Sequence, residues 1–179
     1  MQYRAPAWLP GGHAQTIWPA LYARRRWGPE LPQLRERWLT PDADFIDVDR
    51  QNASRQDRPM LVLFHGLEGS SSSHYAQSFA DWAAAHDLNL ALPHFRGCSG
   101  ELNHAPRAYH SGDHQEIDWV LSRLRKQHQS QGGQTLIVAG VSLGGNALMR
   151  WAGEMGETAG RTVRAVAAVC SPLDLAAGG

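Results

Sequence analysis

The chain has 179 residues, 42% of them apolar, and its 17 basic and 17 acidic residues leave no net charge. This length and composition fit a soluble globular domain with a substantial core and exclude a disordered chain. The charge balance indicates neither nucleic acid nor an anionic membrane as a partner. No signal peptide is evident and no apolar run approaches the ~20 residues of a membrane helix, so we expect a cytoplasmic protein without a transmembrane segment.

The two cysteines, Cys98 and Cys170, form no CxxC pair and have no spacing suited to a metal. This usage indicates a reducing compartment, and we expect both to be small buried residues. The histidines and carboxylates show no i, i+4 His pair or other ligand spacing, so we predict no metal site and no cofactor.

Residues 1–32 are rich in Pro, Gly and Trp and show no sustained periodicity, which predicts an irregular lead-in segment. The basic run Arg24–Arg26 inside it is interpreted as a solvated face. Residues 36–49 contain two strand-like stretches on either side of a turn at 41–44, so we predict a β-hairpin there.

Residues 60–64, MLVLF, form a continuous apolar run typical of a strand buried on both faces, and the loop His65–Ser70 follows directly. A helix is predicted from near Ser73, with an apolar face made of Tyr75, Phe79, Trp82 and Ala83.

Further strands are predicted over residues 88–92, 135–139 and 163–169, with a glycine-rich loop at 93–100. A helix from about Gly112 carries an apolar stripe of Ile117, Val120, Leu121 and Leu124. Strands that alternate with amphipathic helices require right-handed crossovers and a mainly parallel sheet, with ligands at the carboxyl ends of the strands. No repeat or second domain is visible, so residues 1–179 are predicted to form a single domain.

The segment Gly140–Gly144 reads GVSLG and matches the G-x-S-x-G nucleophile elbow, a strained strand-to-helix turn that projects a serine above the sheet. Its glycines are expected where a Cβ would clash with neighbouring backbone. A phosphate-binding loop is the main alternative, but the segment lacks a Walker ending and the G-x-G-x-x-G spacing. Ser142 is therefore the predicted nucleophile.

Several separated motifs occur in one order along the chain, and together they resemble the YheT-like hydrolases of the α/β-hydrolase fold, which are related to the abhydrolase-domain proteins of animals. The resemblance runs from about residue 5 to the last residue and rests on GHAQT at 12–16, HGLEGS at 65–70, FRGCSG at 95–100, RAYHSG at 107–112 and GVSLGGN at 140–146. It implies a mainly parallel sheet flanked by helices. It also implies that this partial domain corresponds to the N-terminal part of the fold, without the C-terminal strands and cap.

A serine hydroxyl needs a general base, and the tetrahedral intermediate needs hydrogen-bond donors aimed at its oxyanion. We expect these donors to be the backbone N–H groups of Leu143, at a helix N-terminus, and Leu67, in the loop after His65. His65 itself is a candidate base, but in this fold the histidine of an HG loop is expected to shape the oxyanion turn.

The triad of this fold continues after the serine with a carboxylate and then a histidine. No histidine follows Ser142, so this chain has no predicted catalytic histidine; the nine present are His13, His65, His74, His86, His94, His104, His110, His114 and His128. Asp174, just after a predicted strand, is a candidate acid, with a structural turn as its alternative. The resemblance implies that the acid and the histidine lie in a C-terminal part absent from this chain.

Four other polar residues lie in the motifs. His13 is part of the GHAQT motif, and its role is not deducible from the sequence, the simplest interpretation being an anchor for the lead-in segment. Arg96 is expected to tie its loop to carboxylates or carbonyls. Ser99 and Asp113 are interpreted as turn and helix-start residues.

Three functions fit the sequence. The first is a serine hydrolase acting on carboxylic esters, with a small-molecule or lipid ester as substrate and a nearly inactive chain when alone. The second is a non-catalytic or vestigial fragment that self-associates or pairs with another chain along residues 163–169. The third is acyl transfer through the same serine to an acceptor other than water.

Overall fold

The sheet of this protein has six strands in the order β1-β2-β4-β3-β5-β6, in a computed structural model that describes residues 4–22 and 34–176. The strands are β1 (Leu34–Leu39), β2 (Phe45–Gln51), β3 (Met60–Phe64), β4 (Asn89–Pro93), β5 (Leu136–Val141) and β6 (Ala165–Val169). The main helices are α1 (Gly11–Tyr22), α2 (His74–Ala85), α3 (His114–Ser130) and α4 (Leu143–Met155). A short 3₁₀ turn (Gly156–Thr158) and α5 (Ala159–Thr162) lead into β6.

The sheet is antiparallel at one end and parallel over the rest. β1 and β2 form the predicted hairpin, and β2 also pairs antiparallel with β4. From β4 onward, each neighbouring pair of strands is parallel and is connected through helices. The prediction of a mainly parallel sheet is confirmed, and the carboxyl ends of β3, β4 and β5 meet at one edge.

Two apolar layers enclose the central strands because successive side chains of a strand point to opposite faces. In β3, Val62 and Phe64 join the cluster that packs under α3 and α4, whereas Leu61 and Leu63 join the cluster under α2. The predicted stripe of α3 is buried as expected, and it comprises Ile117, Val120, Leu121 and Leu124.

The lead-in segment differs from its prediction. Residues 11–22 form helix α1 instead of irregular structure, although Pro19 lies inside the helix. Pro19 has no N–H and so cannot make the helical hydrogen bond of its position, which is why the sequence predicted no helix here. Residues 4–10 form no helix or strand, as predicted, while positions 1–3 and 23–32, including Arg24–Arg26, lie outside the described residues.

The predicted face of α2 is confirmed for Ala83, which is buried, and for Tyr75 and Phe79, which pack partly buried against the core, but not for Trp82. The buried residues of this helix are Ala76, Ala80 and Ala83, whereas Trp82 is 48% exposed and stacks on His86 with ring centroids 4.3 Å apart. Alanine side chains let the helix approach the sheet closely, and a tryptophan on that face would hold it away.

The two cysteines are less buried than expected. Cys98 is partly buried, and Cys170 is exposed because it follows β6, which pairs with no strand other than β5 in the described part of the chain.

Candidate active site

Ser142 lies between the last residue of β5 and the first residue of α4. Its backbone has φ 51° and ψ −117°, a left-handed conformation that costs an L-residue free energy and persists only where the surroundings enforce it. The N–H of Ser142 donates to the carbonyl oxygen of Val169 in β6 at 2.8 Å. The turn therefore has the strained strand-to-helix geometry predicted for a nucleophile elbow.

Glycines allow this turn to fit between β3 and β5. A Cβ placed on Gly140 would stand 2.6 Å from the Cα of Gly145. A Cβ on Gly144 would overlap the carbonyl oxygen of His65 and stand 2.6 Å from that of Phe64. The crowding predicted for the two motif glycines is confirmed.

The loop after β3 packs directly against the serine. A Cβ on Gly66 would stand 3.3 Å from the Cβ of Ser142 and 3.4 Å from the carbonyl oxygen of Val141. The next residue, Leu67, has an exposed side chain, while Leu143 begins α4 on the other side of the serine. Among residues 4–22 and 34–176, neither the N–H of Leu67 nor that of Leu143 has a hydrogen-bond acceptor. Two donors without an acceptor among the described residues thus flank Ser142.

His65 is buried, and both of its ring nitrogens are used. Nδ1 donates to the carbonyl oxygen of Gly66 at 2.8 Å, and Nε2 accepts from the N–H of Phe95 at 3.0 Å. Burial lowers the pKa of His65 to about 4, which keeps the ring neutral at physiological pH. An imidazole with both nitrogens engaged in the loop and its neighbour shapes the turn and is not available as a base for Ser142.

Two tyrosines that the sequence did not single out contact the same loop. The hydroxyl of Tyr75, in α2, accepts from the N–H of Gly66 at 2.9 Å. The hydroxyl of Tyr109 accepts from the N–H of Glu68 at 3.0 Å. The one sequence signal for the first contact is Gly69, because a Cβ there would overlap the Tyr75 hydroxyl.

The Oγ of Ser142 makes no capping hydrogen bond to α4. His94, buried, bonds to Asp49 through Nε2 at 2.8 Å, and the exposed His13 lies in α1. The Nδ1 atoms of His86, His110 and His114 hydrogen-bond to the backbone carbonyl oxygens of Trp82, Ser111 and Gly112. The rings of His74 and His104 contact Tyr75 and Phe45, and the buried ring of His128 lies against Gly133. None of these contacts joins a histidine to Ser142, the candidate nucleophile.

Asp174 lies on an exposed turn after β6, where its carboxylate accepts from the N–H of Ala176 at 3.1 Å. The position is at the carboxyl end of the strand next to β5, as the acid role requires. The turn contact fits the alternative role, and the catalytic assignment stays a prediction.

Arg96 ties its loop to carboxylates, as predicted. Its guanidinium donates to Asp44 at 2.9 Å, to Asp42 at 2.9 Å and to Glu116 at 2.7 Å. Asp113 starts α3 as predicted, although its carboxylate binds Arg107 at 2.7 Å and does not cap the helix. A cleft of about 210 Å³ beside this network is separate from the elbow and is lined by Thr40, Pro41, Asp42, Arg96, Arg107, Gln115, Glu116 and Trp119.

The described ranges contain neither a candidate membrane-spanning helix nor a candidate metal site. No helix there is long and apolar enough to cross a membrane. No group of three or more His, Cys, Asp or Glu side chains in those ranges could hold a metal ion.

No family model matches the chain. Its sequence is 38% identical over 138 residues to the Escherichia coli protein named "Putative esterase YheT", which covers 76% of this chain and 39% of that protein. It is 27% identical over 164 residues to the Saccharomyces cerevisiae "Medium-chain fatty acid ethyl ester synthase/esterase 2", which covers 88% of this chain and 30% of that protein. The solved structure of the Pyrococcus furiosus esterase Pf2001 matches with a TM-score of 0.63 at 17% identity, over 84% of this chain and 57% of that one.

The strand order and the structural match define the chain as an α/β-hydrolase-fold protein. Within that fold, its sequence groups it with the YheT-like hydrolases, which confirms the predicted resemblance. The chain spans less than half the length of the two curated relatives.

Proposed function

We propose that this chain carries the nucleophile and oxyanion hole of a serine hydrolase that acts on carboxylic esters. The observation that carries the proposal is the backbone of Ser142, held at φ 51° and ψ −117° in a turn where the N–H of Leu143 opens a helix. A strained conformation of this kind is costly and is found where a functional side chain must be presented.

In the proposed reaction, the Oγ of Ser142 attacks the ester carbonyl carbon while a general base takes its proton. The carbonyl π electrons move to oxygen, and the N–H groups of Leu67 and Leu143 stabilise that oxyanion. Collapse of the intermediate breaks the bond to the alcohol oxygen, which receives the proton, and leaves an acyl-serine. Water then attacks the acyl-serine by the same route and releases the acid.

The general base belongs, in this proposal, to a part of the enzyme outside these 179 residues, because the triad histidine of this fold follows the serine in the chain and all nine histidines here precede Ser142. Asp174 is the candidate acid. The exposed strand β6 is proposed as the edge at which another segment or chain pairs, since an uncovered apolar edge invites strand addition.

The substrate is proposed to be a lipid or short-chain acyl ester, which is supported by the names of the E. coli and yeast relatives, since both are called esterases. A second candidate reaction is acyl transfer, in which an alcohol replaces water as the acceptor. The specific support for it is that the yeast relative is described as both a synthase and an esterase of fatty acid ethyl esters.

The test is labelling by a fluorophosphonate probe. We would compare the 179-residue chain with a fusion that adds the part of the E. coli relative that follows the matched region. The fusion is expected to label at least 10²-fold faster than the chain alone, because it supplies a base. Ser142→Ala is expected to abolish labelling, and Ser78→Ala, an exposed serine of α2, is the matched control and is expected to leave it unchanged.

The alternatives give different results. Rapid labelling of the chain alone would mean that an upstream histidine activates Ser142. A folded fusion that does not label would favour a non-catalytic fragment. Ethanol added to an active fusion separates the two reactions, since a transferase forms ethyl ester in proportion to the alcohol.

A further inference from the structure

The loop that follows β3 has three successive backbone N–H groups, and they are not equivalent. The N–H groups of Gly66 and Glu68 each donate to a tyrosine hydroxyl, at 2.9 Å and 3.0 Å. The N–H of Leu67 between them has no acceptor among the described residues. The loop therefore leaves one donor free and fixes its neighbours on both sides.

The two tyrosines approach this loop from opposite faces of the sheet. Tyr75 belongs to α2 and packs against the apolar cluster under that helix. Tyr109 packs against the cluster on the other face, where its ring stacks on Phe95 with centroids 5.3 Å apart and an interplanar angle of 13°. Two anchors on opposite sides resist rotation of a loop better than two on the same side.

Each anchor is itself held. The N–H of Phe95, on which Tyr109 stacks, donates to Nε2 of His65 at the start of the loop. Tyr109 also packs in the same apolar cluster as Cys98. Gly69 has no side chain that would displace the Tyr75 hydroxyl.

The backbone of Glu68 has a φ of 53°, which an L-residue adopts at a cost and keeps only when it is constrained. The hydroxyl of Tyr109 binds the N–H of this residue. Without that acceptor, Glu68 can leave its positive φ and the end of the loop can shift. Such a shift displaces the preceding Gly66–Leu67 peptide, which carries the Leu67 N–H.

We propose that Tyr75 and Tyr109 are positioning residues that aim the N–H of Leu67 at the oxyanion beside Ser142. This proposal rests on the proposed function, in which Leu67 is an oxyanion donor. The tyrosines touch no substrate atom; they remove the competing orientations of the loop before the reaction begins. Preorganised donors of this kind contribute more than donors that must reorient.

The first test measures the loop itself in the 179-residue chain. Backbone amide hydrogen exchange is followed by NMR in the wild type, Tyr75→Phe, Tyr109→Phe and the control Tyr22→Phe, whose exposed ring lies in α1. We expect Tyr75→Phe to speed exchange at Gly66, and Tyr109→Phe to speed exchange at Glu68, each by at least tenfold. The control is expected to change neither. Unchanged exchange in both variants would overturn the proposal.

The second test measures catalysis in the labelling-competent fusion described above. Each tyrosine variant is expected to lower kcat about tenfold with KM within twofold, because a misaimed donor loses part of the 10²–10³-fold effect of a deleted one. The inhibition constant of a trifluoromethyl ketone, whose adduct carries an oxyanion, should rise by a similar factor. A merely structural role would lower the folded fraction and leave both constants of the folded enzyme unchanged, which would overturn the proposal.

The two tests separate the two proposals. If the wild-type fusion shows no turnover that depends on Ser142, the proposed function fails, and the exchange measurement alone decides whether the hydroxyls hold the loop. If turnover is present and exchange responds but kcat and the inhibition constant do not, the positioning role is wrong while the hydrolase remains.

Discussion

The elbow and the strand next to it are built in opposite ways. Around Ser142, the backbone is buried and so crowded that Gly140 and Gly144 cannot carry a Cβ. In β6, four of the five residues are exposed and every side chain is small or apolar. The side of the proposed site that holds Ser142 is therefore closely packed, whereas the side that carries Asp174, the candidate acid, is open. One part of a proposed active site can therefore be tightly packed in a chain that leaves the neighbouring part exposed to solvent.

The largest expected effect on stability comes from adding one methyl group to the crowded turn around Ser142. Gly144→Ala is expected to lower the free energy of unfolding by about 3 kcal/mol or more, because the new Cβ would overlap backbone oxygens that cannot move independently. Urea unfolding followed by circular dichroism measures it.

The same substitution in the same helix provides the control. Gly153 in α4 has no atom within 4 Å of an added Cβ, so Gly153→Ala is expected to raise stability by about 0.5–1 kcal/mol through helix propensity. Equal effects at the two positions would contradict the crowding argument.

A smaller effect is expected from pH, through His65. Its pKa falls from 6.5 to about 4 in the folded chain, so between these values the unfolded state binds the proton and the folded state does not. The stabilising contribution of this group is therefore fully present above pH 6.5. As pH falls towards 4, the free energy of unfolding of the chain decreases by about 3 kcal/mol.

Urea unfolding at pH 7 and pH 4.5 measures this loss. His65→Asn should be less stable at pH 7 and should show a shallower dependence on pH than the wild type. Parallel pH profiles for the two proteins would assign the dependence to other groups.

The smallest effect on stability is expected from a charged residue introduced into β6. This substitution also tests whether the exposed edge of the sheet mediates association. Ala167→Lys is expected to change the free energy of unfolding by less than about 0.5 kcal/mol, because the side chain is exposed. It should nevertheless shift the chain towards monomer in sedimentation velocity, since an edge lysine opposes strand addition.

The opposite edge of the sheet supplies the comparison. Leu39 in β1 is 76% exposed, and this strand already carries Arg35, Glu36 and Arg37. Leu39→Lys is expected to leave the sedimentation profile unchanged. An equal response at both edges would mean that association does not proceed through β6.

The sequence predicts the centre of this fold well because each signal there is local. The run MLVLF at 60–64 allows only a strand buried on both faces, and GVSLG is short enough for its spacing to specify the turn at Ser142. The apolar stripe of α3 follows from the helical period, and the structure buries every member of it.

The failures have physical causes of their own. Helix α1 was missed because Pro19 and the flanking glycines mask its periodicity, and because its apolar residues are exposed. In α2, hydrophobicity favoured Trp82 as a core residue, but close packing on a sheet selects the small alanines. In α2, the size of the side chains determines which of them pack on the sheet, and a pattern of hydrophobicity carries no information about side-chain size.

The tyrosines at the oxyanion loop could not be predicted by any local pattern. Tyr109 binds the N–H of a residue 41 positions earlier in the chain, and only the folded structure brings the two together. For Arg96 the type of partner was predicted, because a buried guanidinium needs carboxylates, but the choice of Asp44 and Glu116 depends on the fold.

The hydrogen bond from the N–H of Ser142 to the carbonyl oxygen of Val169 has a mechanical consequence. The strand that offers an uncovered edge also holds the backbone of the nucleophile. A segment that pairs with β6 would stiffen this strand and so hold the Val169 carbonyl, which fixes the backbone of Ser142. Fraying of β6 would loosen that backbone. Under the proposed function, pairing of a further segment with β6 and alignment of the Ser142 backbone would therefore occur together.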